Sequence, residues 1–360
     1  MEKIGSFMIR KWWFFLLVVC AVFACGDNTE EAETIRSPRV KKNTKIDIPS
    51  QNQKITRGTP IAFEISSSGS PIDSVEVVYE GERSVFKNAE FDYAFPSRKV
   101  GTQQLLLKVF CGDQSETHFR KIIVYPEKPP ELKTYRVVTT MPHDTEDYTQ
   151  GLLILNGYLY ESTGQRGKST LKKKSLQTGE TLQTVNLDDS FFGEGLAVFQ
   201  DQFYQLTWTS GKALVYNEQL QEVKQFTYET QGWGLVTYES KMLMTDGSEK
   251  VYVFDPISFT KESQLEVYSN EGKIEELNEL EMIDGLLYAN VYQEDFVLVI
   301  DPQTGEVLQQ IDFSGLLSDK EAQDADVLNG IAVDPESGKI YITGKWWPKL
   351  FEVEIIPKLS

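Results

Sequence analysis

Five similar segments of this 360-residue chain each begin directly after a residue whose side chain could take part in chemistry. Those residues are Gln150, Glu194, Trp233, Asn278 and Asn329. A carboxyl group can carry a proton, carboxamides can hold a carbonyl and stabilise an oxyanion, and an indole offers a flat wall for a small group. The set therefore suits chemistry at a carbonyl group.

A second set of side chains lies where the next apolar run of a segment ends: Trp208, Tyr292 and Lys345, with Asp246 nearby. Neither set includes a Cys or a Ser–His pair that could act as a nucleophile. A reaction whose substrate supplies its own nucleophile therefore fits best. Glu194 is the main candidate for proton transfer, because aromatic neighbours at Phe191 and Phe192 are expected to raise its pKa.

The segments that position these residues recur about every 45 residues, a period typical of propeller blades. Each contains an apolar run, a turn and a second apolar run, followed by an outer hairpin. The last segment is one strand short, whereas residues 135–138 supply one strand too many before the first. Pairing the two would close a ring without open edges. We predict an all-β fold with a five-bladed β-propeller over residues 134–360, and both sets of side chains at one mouth of its channel.

The part before this repeat differs in its pattern. Residues 45–126 contain short runs of alternating apolar and polar residues separated by turn residues, which predicts a small immunoglobulin-like β-sandwich. Residues 25–44 are polar and predict a flexible tether, and the proline-rich residues 127–133 predict a linker. We interpret the sandwich as a spacer or docking module, with Cys111 buried in a strand and His118 on a strand surface.

The N-terminus has the features of a targeting signal. Basic residues precede an apolar run that ends at Cys25, and residues 1–24 resemble a bacterial lipoprotein signal peptide. Lipid on Cys25 would anchor the mature chain stably to a membrane. We expect a lipoprotein of the bacterial cell envelope, facing the periplasm or the cell surface.

The charge balance narrows the possible partners. Asp and Glu number 54 against 36 Lys and Arg, a formal charge of −18. So acidic a chain is a poor partner for nucleic acid, which needs a basic surface. The chain has two histidines, too few for most histidine-rich zinc sites. We expect no cofactor and no metal, and we interpret His143 as a structural loop residue at the channel entry.

Motifs in every segment carry a family resemblance. They are YTQGL at 148–152, LYESTG at 159–164, FGEGL at 192–196, QLTW at 205–208, GWGL at 232–235, LNELE at 277–281, YANV at 288–291, VLNGIA at 327–332 and TGK at 343–345. In this order they resemble the plant and bacterial glutaminyl-peptide cyclotransferase family, over residues 134–356. The resemblance does not extend to the sandwich.

The resemblance implies conversion of an N-terminal glutamine of peptides or proteins to pyroglutamate, with release of ammonia and without a catalytic metal. The implied catalytic residues are Glu194, Lys345 and Asn278. The implied substrate-binding residues are Gln150, Trp208, Trp233, Tyr292, Tyr148 and Asn329. One departure stands out, because Tyr292 occupies a position where the family usually has Trp.

Two alternatives to this function remain open at the level of sequence. A binding module could use the same channel mouth to capture peptide N-termini without turnover. A metal-dependent propeller hydrolase such as a lactonase would need several carboxylates at the channel, for which Asp246 and Glu161 could join Glu194.

Overall fold

The computed structural model describes residues 42–358, which fold into 28 strands and one short 3₁₀ helix, Glu321–Gln323. The predicted signal peptide, most of the tether and Cys25 lie outside these residues. No helix in the described range is long and apolar enough to cross a membrane.

The first eight strands form two sheets around one apolar core. They are β1 (Thr44–Ile48), β2 (Gln53–Thr56), β3 (Ile61–Ser67), β4 (Ser74–Tyr79), β5 (Glu82–Phe86), β6 (Glu90–Tyr93), β7 (Gly101–Cys111) and β8 (Gln114–Tyr125). One sheet has the order β1-β3-β6 and the other the order β2-β8-β7-β4-β5. Alternation along β3 buries Ile61, Phe63 and Ile65 in that core, as period-two patterning predicts.

Cys111 and His118 both lie on the last two strands of these sheets. Cys111 is in a strand, but it is half-buried because it is the last residue of β7, at the hairpin turn opposite Gln114. His118 lies on β8, where Nε2 is 2.7 Å from the hydroxyl of Thr44. The expectation of a fully buried thiol was therefore too strong.

The remaining strands follow the repeat. They are β9 (Glu131–Pro142), β10 (Thr149–Leu155), β11 (Tyr158–Thr163), β12 (Thr170–Ser175), β13 (Thr181–Asn186), β14 (Gly193–Phe199), β15 (Gln202–Thr207), β16 (Lys212–Tyr216), β17 (Glu222–Thr227), β18 (Leu235–Tyr238), β19 (Lys241–Thr245), β20 (Lys250–Asp255), β21 (Thr260–Glu266), β22 (Leu277–Ile283), β23 (Leu286–Val291), β24 (Phe296–Ile300), β25 (Val307–Asp312), β26 (Leu328–Val333), β27 (Ile340–Gly344) and β28 (Lys349–Pro357). Strands β10–β13, β14–β17 and β18–β21 form separate four-stranded sheets, and an eight-stranded sheet has the order β22-β23-β24-β25-β9-β28-β27-β26.

The first strands of these groups, β10, β14, β18, β22 and β26, contact one another in sequence, and β26 returns to β10. A buried apolar cluster lies between each neighbouring pair of groups. The last of these joins Leu152 and Leu159 to Ala332 and Leu350. Apolar side chains therefore pack between every pair of neighbouring groups, including the last group and the first.

Strand β9 completes the group that β26, β27 and β28 leave one strand short. It pairs antiparallel with β28, for example Arg136 with Glu354, which confirms the predicted pairing of the extra strand with the last one. The start of β9 also pairs in parallel with β25. The last three residues of the predicted linker, 131–133, therefore belong to a strand.

The two sheets of β1–β8 contact the strands of the repeat at the end of β21, just after it, and in the turn before β25. Arg57 forms an ion pair with Glu306, and the backbone N–H of Thr102 donates to the Glu266 carboxylate at 2.8 Å. Tyr125 meets Tyr268 edge to face, with ring centroids 5.6 Å apart. Charged, polar and aromatic contacts thus join the two parts.

Candidate active site

A cavity of about 250 Å³ lies where the first strands begin. It is lined by Tyr148, Gln150, Phe192, Glu194, Trp208, Trp233, Asn278, Tyr292 and Lys345. Every predicted catalytic and substrate-binding residue except Asn329 is in this lining. Residues far apart in sequence therefore meet at one site, as the repeat predicts.

Irregularities in strand pairing aim the polar residues of the lining. Gln150, Glu194 and Asn278 each sit where the register of a first strand shifts relative to its neighbour. Such bulges turn a side chain away from the regular alternation of the strand. The same irregularity recurs at Asn329 in β26. In four of the five first strands, the repeat thus includes a bulge at a polar residue, whereas β18 pairs without a register shift and the equivalent residue is Trp233.

Glycines next to these bulges allow the first strands to approach closely. A Cβ atom on Gly151 would lie 2.5 Å from the backbone nitrogen of Leu196, and one on Gly195 would lie 2.5 Å from that of Leu235. Any larger residue would push the strands apart. The glycines after Gln150 and Glu194 therefore let the two strands come close enough for the hydrogen bond between these side chains.

Glu194 lies at the floor of the cavity and is 5% exposed. Its Oε1 accepts a hydrogen bond from Nε2 of Gln150 at 3.2 Å. Burial raises the pKa of its carboxyl group well above the ordinary value, and the charge of Lys345 opposes this shift. The direction agrees with the expectation from aromatic surroundings. Among residues 42–358, Glu194 is the one carboxylate in the lining.

Asn329 occupies a different place from the one predicted. It is fully buried and does not line the cavity. Its Nδ2 donates to Oε1 of Gln150 at 3.2 Å and to the backbone carbonyl of Thr149 at 3.0 Å. Asn329 therefore contacts Gln150 from below the cavity and leaves the amide nitrogen of Gln150 to face Glu194.

Aromatic rings form the walls above Glu194. Phe192 meets Tyr148 and Trp208 at centroid distances of 6.1 and 5.6 Å, and Trp233 meets Tyr292 edge to face at 5.8 Å. Sequence reasoning placed Phe192 beside Glu194 without assigning it to the lining. The available signal was its position in the sequence, two residues before Glu194.

Lys345 connects the two ends of this wall. Its Nζ lies 4.9 Å from the ring centroid of Tyr148 and 5.1 Å from that of Tyr292, within the range of cation–π attraction. The side chain is 2% exposed. Burial lowers the pKa of its ammonium group below the ordinary value, although Glu194 and Asp326 oppose the shift.

Asn278 contributes an open hydrogen-bonding position. Its Oδ1 is buried and has no hydrogen-bond partner among residues 42–358. Leaving a buried polar atom unpaired costs about 1–3 kcal/mol, and such atoms often await a ligand. Since Asn278 lines the cavity, an N–H group of a bound molecule is the natural partner.

The additional carboxylates considered for a metal-dependent hydrolase do not reach the cavity lining. Asp246 accepts hydrogen bonds from Ser248 and from the hydroxyl of Tyr252 at 2.8 Å. Glu161 is buried in a separate charged cluster with His143 and Lys174. The carboxylates that this alternative requires are thus engaged elsewhere.

His143, Asp147 and Glu161 are near enough to share an ion, and they are the one such group in the described part of the chain. However, the Lys174 ammonium donates to Glu161 at 2.6 Å and also to Asp147. The His143 ring bonds to Glu161 at 3.0 Å and to the Trp347 carbonyl at 2.7 Å. The cluster is a satisfied ion network, in line with a structural role for His143.

The sequence of this chain is similar to those of known proteins over most of the strands that build the site. The family model described as glutamine cyclotransferase matches residues 106–355, so the match begins within β7. A glutaminyl-peptide cyclotransferase of Arabidopsis thaliana is 37% identical over 231 residues, which are 62% of this chain and 72% of that protein.

A solved structure gives a similar result. The crystal structure of glutaminyl cyclase from Myxococcus xanthus matches with a TM-score of 0.59 and 35% identity, covering 64% of this chain and 100% of that one. Together with the extent of the family match, this shows that the chain belongs to the glutamine cyclotransferase family.

Proposed function

We propose that this protein is an enzyme that converts the N-terminal glutamine of peptides or proteins to pyroglutamate, with Glu194 as the proton carrier and no metal in the reaction. Family membership supports the reaction class. The role of Glu194 is assigned from one observation. Its carboxyl group is buried, has a raised pKa and lies on the floor of a cavity with aromatic walls. A buried carboxyl group of raised pKa holds a proton more readily than an exposed one, which suits a proton carrier.

The reaction requires one bond to form and one to break. The neutral α-amine of the substrate attacks the carbon of its own γ-carboxamide, and a tetrahedral oxyanion forms. Glu194 accepts the proton that the attacking nitrogen loses and donates it to the departing amide nitrogen. The carbon–nitrogen bond then breaks, ammonia leaves, and the carboxylate of Glu194 is regenerated.

Polar residues of the lining have separate tasks in this scheme. The Lys345 ammonium stabilises the oxyanion, and Oδ1 of Asn278 accepts an N–H of the substrate. Gln150 holds the Glu194 carboxylate through its hydrogen bond. Preorganised groups of this kind typically contribute a hundredfold or more to the rate.

The aromatic walls confine the substrate side chain. Closure of a five-membered ring is already intramolecular, so holding the glutamine folded back on its own amine lowers the barrier further. A small cavity walled by Tyr148, Phe192, Trp208, Trp233 and Tyr292 suits one such side chain. Tyr292 preserves an aromatic surface at the position where the family usually has Trp.

An ammonia-release assay on a glutamine-initiated peptide tests this function. We expect equimolar ammonia and lactam-terminated peptide, with the same rate in the presence and absence of a chelator. A peptide with asparagine in place of the first glutamine serves as a matched control. Peptide binding without ammonia would indicate a binding module, and loss of activity with chelator would indicate a metal-dependent enzyme.

We also propose that the five strand groups are blades of a five-bladed propeller and that residues 45–126 form an immunoglobulin-like sandwich. The cyclic contacts of the first strands and the pairing of β9 with β28 support the first assignment. Two sheets around a common core support the second. An experimental structure with a number of strand groups other than five would refute the propeller assignment, and one in which residues 45–126 do not form two packed sheets would refute the sandwich assignment.

The predicted anchoring is a further proposal, based on the sequence around Cys25. We propose that lipid on Cys25 attaches the enzyme to a membrane of the bacterial envelope. Full-length protein expressed in bacteria should sediment with membranes, whereas Cys25→Ser should lose this association. Membrane association that is unchanged in Cys25→Ser would contradict the proposal.

A further inference from the structure

Gln231 lies between the two indoles of the cavity wall. Its Oε1 accepts a hydrogen bond from Nε1 of Trp208 at 2.6 Å and another from Nε1 of Trp233 at 3.0 Å. One carboxamide oxygen has two lone pairs and can accept both bonds at once. The two indoles come from different strand groups, so Gln231 is the shared link between them.

The backbone around Gln231 is held on both sides. The N–H of Gly232 donates to the carbonyl of Trp208 at 3.0 Å, and the N–H of Trp233 donates to the carbonyl of Thr245 at 3.0 Å. The carbonyl of Trp233 in turn accepts the N–H of Gly195 at 2.7 Å. Although Gln231 lies outside the strands, its side chain therefore extends from a fixed segment.

Trp208 needs such a link more than the other wall residues do. It is 37% exposed, so few packing contacts hold its ring. Its ring packs against Phe192, with ring centroids 5.6 Å apart. Without an acceptor on Gln231, the indole could rotate toward solvent and widen the cavity.

We propose that Gln231 is a positioning residue that fixes the separation of the Trp208 and Trp233 indoles and thereby holds the substrate glutamine in its folded-back conformation. This inference rests on the proposed function. Because the residue acts through the walls, its loss should affect the geometry of reaction more than the affinity for peptide. A small displacement of a substrate from its reactive geometry is enough to slow an enzyme considerably.

Two substitutions separate this role from a general structural one. Gln231→Met keeps the length of the side chain but removes the acceptor, and Gln231→Glu keeps an acceptor oxygen. Gln225→Met is a matched control, because Gln225 is an exposed glutamine of nearby β17 that bonds to Glu222. Circular dichroism establishes that each variant is folded.

We expect Gln231→Met to lower kcat about tenfold, the effect of losing hydrogen bonds of modest net strength, with KM changed by less than about threefold. Gln231→Glu and Gln225→Met should retain kcat within about threefold. An unchanged kcat in Gln231→Met, or a Gln231→Glu variant as impaired as Gln231→Met, would overturn the proposal.

Hydrogen exchange of the indole N–H groups, followed by NMR, provides a readout that does not depend on turnover. The Trp208 and Trp233 indoles should exchange faster in Gln231→Met, whereas the Trp347 indole, which donates to the Asp326 carbonyl at 2.8 Å, should not change. Unchanged exchange at Trp208 and Trp233 would refute the link. If the wild type released no ammonia, the proposed function would fail, and faster exchange would still support the link between the indoles.

Discussion

Gln150 donates a hydrogen bond to Glu194 at 3.2 Å while its own carbonyl oxygen accepts one from Asn329 at the same distance. The three residues belong to the neighbouring first strands β26, β10 and β14 and form a continuous chain of side-chain contacts along them. An N–H donor favours the ionised form of a carboxylate, whereas burial favours the neutral form. Glu194 is thus held between two opposing influences, as a group that must both accept and release a proton requires.

The first prediction concerns this chain of contacts. Asn329→Ala should lower kcat about tenfold, because Gln150 loses the contact that fixes its amide. If Asn329 acts only through Gln150, the double variant Gln150→Ala/Asn329→Ala should be no slower than Gln150→Ala alone. Steady-state kinetics of the four proteins checks this, and fully additive losses would show that Asn329 has an independent role.

The second prediction is the pH profile. A base is active when ionised, so kcat should fall as the pH drops through the raised pKa of Glu194. It should also fall at alkaline pH as Lys345, whose pKa is lowered, loses its charge. Lys345→Met should move the acidic limb to higher pH, because Lys345 is the charge that lowers the Glu194 pKa, and should remove the alkaline limb.

Lys168→Met provides a control for this profile, since Lys168 is exposed and outside the cavity lining. Its profile should match that of the wild type. An acidic limb in Lys345→Met at or below the wild-type position would show that Lys345 does not act on Glu194.

The third prediction uses the unpaired oxygen of Asn278. Asn278→Ala removes the acceptor and should reduce kcat/KM about a hundredfold, the usual effect of losing a group placed for the transition state. Asn278→Asp keeps an acceptor oxygen and should lose less. If the alanine variant were the more active of the two, the acceptor role assigned to Oδ1 would be wrong.

The fourth prediction concerns stability. Burial lowers the pKa of His143, but the Glu161 charge and hydrogen bond outweigh it and the net pKa is raised above 6.5. A raised pKa means that the protonated imidazole stabilises the fold below pH 6.5, and this contribution is lost as pH rises through the folded-state pKa. The urea midpoint of the wild type should fall over that range, and His143→Gln should show a smaller fall. Equal slopes would argue against a charged His143.

Much of the site could be predicted because the repeat fixes both strand order and strand direction. Gln150, Glu194 and Asn278 occupy equivalent positions of the repeat. Because the first strands contact one another in a cycle, equivalent positions lie at the same end of these strands and line one cavity. The pairing of β9 with β28 followed from counting strands at the two ends of the repeat, although the register of that pairing did not. These features depend on the order and direction of the strands, which the spacing of the repeated segments in the sequence reveals.

Other features depended on side-chain contacts that periodicity does not reveal. Gln231 lies in a non-strand segment, two residues before the position that the repeat marks, and nothing in its spacing pairs it with two indoles. Glu161 was considered for the channel, but its buried position beside Lys174 follows from charge compensation. Asn329 occupies the marked position and still lies below the cavity, because its amide bonds to Thr149 and Gln150.

The most direct test of the central claim is the rate of ammonia release by Glu194→Gln from a glutamine-initiated peptide. This substitution keeps the size of the side chain and one acceptor oxygen but removes its ability to carry a proton. The account predicts a loss in kcat of about a hundredfold to ten-thousandfold in a folded protein that still binds peptide. A rate close to that of the wild type would contradict it.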